Sequence, residues 1–278
     1  MTTIALLTDF GNDDIYVGVM KGVMRGIHPQ ADFIDITHTI SPQHVREAAF
    51  NLANAYRYFP QGTVFLVVVD PGVGSLRRPI AVQAGGYRFV APDNGVLSYT
   101  LGFVDQVEAV ALDNPTYHLS NVSQTFHGRD IFAPVTAHLA GGVPLSAIGS
   151  PVTDLIALPT PTLEISPTVI QGEVLDIDRF GNLITSIGRL AWVDASRITL
   201  NPAFGRELFN VPIDIAQAEV WVNKQNVSAI QRSYSDVRRG ELLGLLGSSG
   251  YLEISVNQGN AAQRLDASVG DSVELKLG

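Results

Sequence analysis

Apolar positions follow two different periods along this chain. In the first half, short β-branched runs at Ile4–Thr8, Phe33–Ile36, Thr63–Val69 and Arg88–Ala91 read as strands, three of them largely apolar. Such runs suit a parallel sheet covered on both faces. Between them Ile15, Val19, Val23 and Ile27 recur at every fourth position, and Val45, Ala49 and Leu52 keep helical spacing after Ser41-Pro42. The serine is expected to cap that second helix, with the proline in its first turn. Strands alternating with helices predict an N-terminal α/β domain with a mainly parallel sheet, residues 1–160.

The pattern changes near Leu158-Pro-Thr-Pro161, with a further proline at Pro167, and residues 161–170 read as a linker. Beyond it Gly172–Ile177, Glu219–Asn223, Leu252–Val256 and Ser272–Leu277 alternate with period two between turns rich in Gly and Asn. A C-terminal antiparallel β-barrel-like domain, residues 171–278, is the expectation.

Composition narrows the partners. The 278 residues contain no cysteine, which excludes disulfide scaffolds, thiolate metal sites and cysteine nucleophiles. A formal net charge of −9 offers no footprint for nucleic acid or an anionic membrane surface. With 46% hydrophobic and 16% charged residues, the surface is expected to be too apolar for a monomer. No basic segment precedes an early apolar stretch, and the longest apolar run, Val64 to Val69, falls far short of the ~20 residues of a membrane helix. A cytoplasmic protein is expected.

Ligands of open α/β sheets sit outside the carboxyl ends of the strands, and four polar segments fall there. They are Thr8-Asp-Phe-Gly-Asn-Asp-Asp14, Val69-Asp-Pro-Gly-Val-Gly-Ser-Leu-Arg-Arg78, Pro92-Asp-Asn-Gly95 and Thr125-Phe-His-Gly-Arg-Asp130. The glycine-containing loop after Asp70 can fold back so that Arg77 meets the carboxylate and fixes its orientation. His127 could complete a cluster able to position and deprotonate a water. The plainer alternative is that Asp70 and Arg77 staple a turn while His127 opens a helix. Asp9 could take both hydroxyls of a ribose, or join Asp13 and Asp14 around a hard cation. Asp13 and Asp14 equally suit the dipole of the following helix. In the second half, Asp176 to Thr185, Tyr234, and Leu246 to Asn257 offer an aromatic beside Asn and Ser groups, which suits a base-stacking pocket or ordinary barrel turns.

Taken in order, Thr8-Asp-Phe-Gly11, Asp35-Ile-Thr-His38, Val69-Asp-Pro-Gly-Val-Gly74 with Arg77-Arg78, Pro92-Asp-Asn-Gly95, Thr125-Phe-His-Gly-Arg-Asp130, Phe180-Gly-Asn182 and Gly250-Tyr-Leu-Glu-Ile254 resemble one family across nearly the whole chain. It is the S-adenosyl-L-methionine (SAM) hydrolases, or SAM hydroxide adenosyltransferases, relatives of the SAM-dependent fluorinase and chlorinase. The resemblance implies a homotrimer with active sites between neighbouring subunits, and the reaction of SAM with water to give adenosine and L-methionine. No cofactor or metal is implied, SAM being the substrate. The family's catalytic Asp, Arg and His fall on Asp70, Arg77 and His127, and its ribose-binding aspartate on Asp9. Asp178 and Ser248 match positions near the methionine amine and carboxylate. Asn182, Tyr234 and the backbone around Val256 match the adenine pocket, and Glu253 is a further carry-over. The halogenases carry tyrosine where Asp70 stands and lack counterparts of Arg77 and His127, so the resemblance favours water over a halide as nucleophile. They also carry an arginine where Ser249 stands, a departure that bears on how the methionine carboxylate is neutralised. Two other classes share parts of the pattern: metal-dependent nucleoside hydrolases, through the Asp9 segment, and modules that bind SAM or adenosine without turnover.

Overall fold

From Ile4 to Leu7 no side chain reaches solvent, and the four divide between two cores. Ile4 and Leu6 pack with Val64, Leu66, Met20 and Phe132, whereas Ala5 and Leu7 pack with Phe65, Val67, Ala48 and Leu52. Successive residues of a strand face opposite ways, so a strand that is apolar throughout requires cover on both sides. The computed structural model describes residues 2–204 and 210–277, in two units, Met1–Pro159 and Thr160–Gly278.

The first unit contains β1 (Thr3–Thr8), α1 (Tyr16–Ile27), β2 (Asp32–Thr37), α2 (Val45–Ala55), β3 (Val64–Val68), β4 (Pro79–Ala84) and β5 (Tyr87–Pro92). There follow α3 (Ser98–Leu101), β6 (Glu108–Ala111), α4 (Ala133–Ala140) and α5 (Leu145–Ile148). Sheet order is β2-β1-β3-β5-β4-β6. The first four are parallel neighbours, and β4 runs antiparallel to both β5 and β6. This is the mainly parallel α/β layer that the pattern predicts. Strands β4 and β6 were not anticipated, although Gly85-Gly86, at φ +57° and +82°, is the two-residue turn that joins β4 to β5 and is visible in the sequence.

Two local expectations are corrected. Helix α1 buries Met20 and Met24, flanked by Val17, Val23 and Ile27, while Ile15 lies outside it and is 75% exposed. A row spaced by four drifts around a helix of 3.6 residues per turn, and the inward stripe follows alternating steps of three and four. Helix α2 starts three residues later than the Ser41-Pro42 signal suggests: its N-cap is His44, and the Ser41 side chain does not cap it. Instead Ser41, Pro42 and Gln43 form a turn closed by His44 N–H on the Ser41 carbonyl at 3.0 Å, and the Ser41 N–H donates to the Glu47 carboxylate.

The second unit comprises β7 (Leu163–Ile165), β8 (Val169–Ile177), β9 (Leu183–Gly188), β10 (Leu190–Trp192), β11 (Arg197–Leu200), β12 (Val211–Asp214) and β13 (Glu219–Val222). It continues with β14 (Gln225–Ser228), β15 (Ile230–Gln231), β16 (Leu242–Leu246), β17 (Tyr251–Val256), α6 (Ala261–Leu265) and β18 (Ser272–Lys276). Nine strands form one sheet, in the order β14-β13-β18-β8-β9-β17-β16-β15 with β7 on β8, and β10-β11-β12 form a second. The larger sheet is antiparallel except at β15–β16 and curls as a half-barrel around Val174, Ile187, Val220, Leu252 and Leu275. The stretch expected as a linker carries β7 and the first residues of β8. No helix among the described residues is long and apolar enough to cross a membrane.

Candidate active site

The carboxyl ends of β1 and β3 open into a cavity of about 410 Å³ lined by Asp9, Gln43, Asp70, Val73, Phe126 and His127, among others. Asp9 directly follows β1, and its Oδ2 accepts the N–H of Gln43 at 2.8 Å, so the turn that displaces the start of α2 also holds this carboxylate. Beneath it the Thr8 hydroxyl lies 2.9 Å from His38 Nδ1. His38 Nε2 is 3.0 Å from Asp35 Oδ1, and Lys21 donates to Asp35 Oδ2 at 2.6 Å. Burial works against the charge on Asp35, but the bonds to Lys21 and His38 outweigh it and hold its carboxyl below the usual range.

Asp70 stands two residues beyond β3. Arg77 Nε donates to Oδ1 and Oδ2 at 2.9 and 3.0 Å, and Nη2 also bonds Oδ2. The same Nη2 lies 2.9 Å from His127 Nδ1. Guanidinium nitrogens only donate, so Nδ1 must accept and the ring proton belongs on Nε2. Burial lowers the His127 pKa below 6.5 and the Arg77 charge lowers it further, with Asp70 a smaller opposing effect. The imidazole is therefore neutral at pH 7. Loop geometry makes this meeting possible: Gly74 has φ +76°, and a Cβ there would lie 2.6 Å from the Gln124 carbonyl. That close approach seats the 70–78 loop against the segment carrying His127. Behind it, buried Asp130 accepts the Ser123 N–H at 2.8 Å and Arg129 Nε at 2.5 Å. Phe10, Tyr16 and Phe126 form a wall, with ring centroids 5.1 to 6.0 Å apart. The sequence reading missed this wall, although its members lie within or beside the polar segments.

The second unit has its own cavity, of about 710 Å³, bordered by Phe180, Asn182, Tyr234, Val256, Asn260 and Gln263 among others. Asp178 Oδ1 accepts the N–H groups of Phe180 and Asn182, and Oδ2 accepts the Asn182 amide, all at 2.9 Å. Gly181, at φ +84°, allows the turn to press on Asn260, since a Cβ there would fall 2.1 Å from Asn260 Cγ. Tyr234 donates to Glu253 Oε1 at 2.5 Å, and Ser255 donates to the same oxygen at 2.9 Å. Burial, then the Glu253 carboxylate, push the Tyr234 hydroxyl up to about 12. Phe180 and Tyr234 nevertheless leave 76% and 42% of their surface exposed. Ser248 is exposed in the turn between β16 and β17 and does not border this cavity. Val256 is at the other end of β17, roughly 16 Å along the strand.

Thus Asp9, Asp70 and His127 share one cavity with Arg77 bound to two of them, and Asn182, Tyr234 and Val256 share another, with Asp178 and Glu253 bonded to its members. Asp13 and Asp14 are exposed and line neither cavity. Among the described residues no group of three or more His, Asp or Glu is arranged to hold a metal ion.

Residues 4–149 match the SAM hydroxide adenosyltransferase N-terminal domain, and residues 172–274 match the C-terminal domain of the same family. The chain belongs to the SAM hydroxide adenosyltransferase family. Within it, the chain is 38% identical over 280 residues to the (R)-S-adenosyl-L-methionine hydrolase of Salinispora arenicola, covering 99% of this chain and 98% of the relative. The Thermus thermophilus protein of the same name is 36% identical, with 99% and 100% covered. A fluorinase of Nocardia brasiliensis is 27% identical over 309 residues, with 99% and 97% covered. A conserved protein of Thermotoga maritima with a solved structure superposes with a TM-score of 0.84 at 37% identity, over 98% of this chain and 99% of that one.

Proposed function

We propose that this member of the SAM hydroxide adenosyltransferase family hydrolyses SAM to adenosine and L-methionine, water attacking the ribose C5′. The observation that carries this is the Asp70–Arg77–His127 cluster bordering the same cavity as Asp9. A sulfonium leaves as a neutral thioether and needs no acid. The protein has to hold C5′ in line with a water and take its proton. Asp9 binds the ribose hydroxyls. Asp70 accepts from the water, because each carboxylate oxygen has two lone pairs and Arg77 does not use them all. His127 Nδ1 is occupied by Arg77, which leaves its Nε2–H to donate to the water oxygen. As the O–C5′ bond forms, the C5′–S electron pair passes to sulfur and the proton leaves through Asp70 to solvent. A carboxylate at this position repels a halide, which separates the chain from its fluorinase relatives.

In the same reading Asn182, Tyr234 and the Val256 backbone hold the adenine, with Glu253 bonded to Tyr234, Asp178 and Ser248 lie near the methionine amine and carboxylate, and no metal or cofactor takes part. The working form is a cytoplasmic homotrimer in which neighbouring subunits complete each site. The sulfonium configuration carried over from the hydrolase relatives' names is (R). Purified protein incubated with each sulfonium epimer, with and without EDTA, and followed by liquid chromatography tests the reaction. Equal amounts of adenosine and methionine from the (R) epimer, unchanged by EDTA, are expected. Intact SAM would favour a binding module, and loss of cleavage in EDTA a metal-dependent hydrolase. Light scattering after size exclusion tests the trimer, and cell fractionation the location.

A further inference from the structure

Strands β3 and β5 pair from Val64 with Arg88 to Leu66 with Val90, and there the ladder ends. Parting strands open the crevice, but they also leave the residues beyond the ladder without their sheet partners. Val69, the residue before Asp70, is one of these, and its carbonyl is taken by the Asn94 side-chain amide at 2.9 Å. Asn94 is held in turn by the Val96 N–H on its Oδ1 at 3.2 Å. On its other side the same segment meets β4. Asp93, 2% exposed, accepts Arg78 Nε and Nη2 on Oδ2 at 3.0 and 2.7 Å, and the Ile156 N–H on Oδ1 at 2.9 Å. The Asp93 N–H also donates to the Arg78 carbonyl at 2.8 Å. Because β4 is antiparallel to β5, its first residues lie at the crevice edge beside the end of β5. Asp93 therefore fixes the residue after Arg77, and Asn94 the residue before Asp70.

We propose that Asp93 and Asn94 are positioning residues for hydrolysis, setting the Asp70–Arg77 pair from both ends of the 70–77 loop. This rests on the hydrolase reading above. Six residues, three of them glycine or proline, separate Asp70 from Arg77, so the ion pair by itself leaves the loop free to shift as a body relative to the ribose held by Asp9. Ties to Val69 and Arg78 remove that freedom, and misplacement of reacting groups by about 1 Å can cost as much as ~100-fold in rate.

Asn94→Ala and Asn94→Asp test it; the latter keeps an acceptor for Val96 but cannot donate to Val69. Each should lower kcat about 10- to 100-fold with KM for SAM within about twofold, as outer-layer partners of reacting groups do. Asp93→Asn should do the same. Asp154→Ala, which removes the exposed partner of Arg78, should stay within about twofold. In an Asp70→Ala background, Asn94→Ala should add little, because the group it positions is gone. A second readout does not depend on turnover: the Arg77 Nε–H signal in nitrogen-15 NMR should shift or broaden in both Asn94 variants. Folded Asn94 variants with wild-type kcat and an unmoved Arg77 signal would overturn the proposal, as would an equal loss in Asp154→Ala or a full extra loss on top of Asp70→Ala. If wild-type protein leaves SAM intact, the hydrolase reading fails and the Arg77 signal alone decides the positioning claim.

Discussion

The two cavities differ in which groups their polar bonds fix. In the first unit the polar side chains satisfy one another: Asp70 and His127 both bond Arg77, and Asp9 is held by a backbone N–H. In the second, the carboxylates of Asp178 and Glu253 are bonded to Asn182 and Tyr234, while the rings of Phe180 and Tyr234 stay open to solvent. Groups that must meet a transition state gain from being fixed beforehand, since no reorganisation is then needed during the reaction. A planar base needs a face to stack on and a few amides, and an exposed ring supplies the face. Under the proposed hydrolase reading, the contrast assigns chemistry to the first unit and recognition to the second.

The largest effect should come from Asp70→Ala, which is expected to lower kcat at least ~100-fold, the lower range for a lost proton acceptor, while adenosine affinity by calorimetry stays near wild-type. Unchanged turnover would remove Asp70 from the mechanism and end the contrast. Next, Phe180→Ala and Tyr234→Ala should weaken binding, each by about 1–3 kcal/mol of lost stacking, with kcat largely kept. A fall in kcat at unchanged KM would put chemistry in the second unit as well. A smaller, sharper test is pH. Protonated His127 would turn its Nδ1–H toward Arg77 and break their bond, so kcat should stay flat down through pH 6.5 and fall only as pH drops toward the lowered His127 pKa. Since the folded protein binds this proton less readily than the unfolded chain, the stability His127 contributes is complete above pH 6.5 and is lost as pH falls toward and through the lowered pKa. His127→Gln, neutral at every pH, should abolish that limb. The smallest effect is expected for Tyr234→Phe, which removes one hydrogen bond to Glu253 and should cost about 1 kcal/mol in denaturant unfolding.

Periodicity made much of the fold legible. The buried runs of β1 and β3 and the alternation of β8 and β18 depend on local pattern, and they stand where the pattern puts them, whereas β17 stands in place but is buried on both faces, Glu253 and Ser255 included. Strand β6, only Glu108–Ala111, is too short to show a period, and the start of α2 shifts because Gln43 takes a φ of +66°, which a right-handed helix does not allow, in the turn closed by His44 N–H on the Ser41 carbonyl. Within the site, residue types and motif order singled out Asp9, Asp70, Arg77 and His127, which the fold then gathers around one cavity.

By itself the sequence determined the two-part architecture, the absence of cysteine chemistry and the family, because each is written in local pattern or residue identity. Tertiary structure alone decided that His127 accepts rather than donates toward Arg77, that the end of β5 reaches both flanks of the 70–77 loop, and that Ser248 lies a strand's length from Val256. These are matters of direction and distance between segments far apart in the chain. Spacing along a sequence carries neither until the sheet and its diverging strand ends fix them.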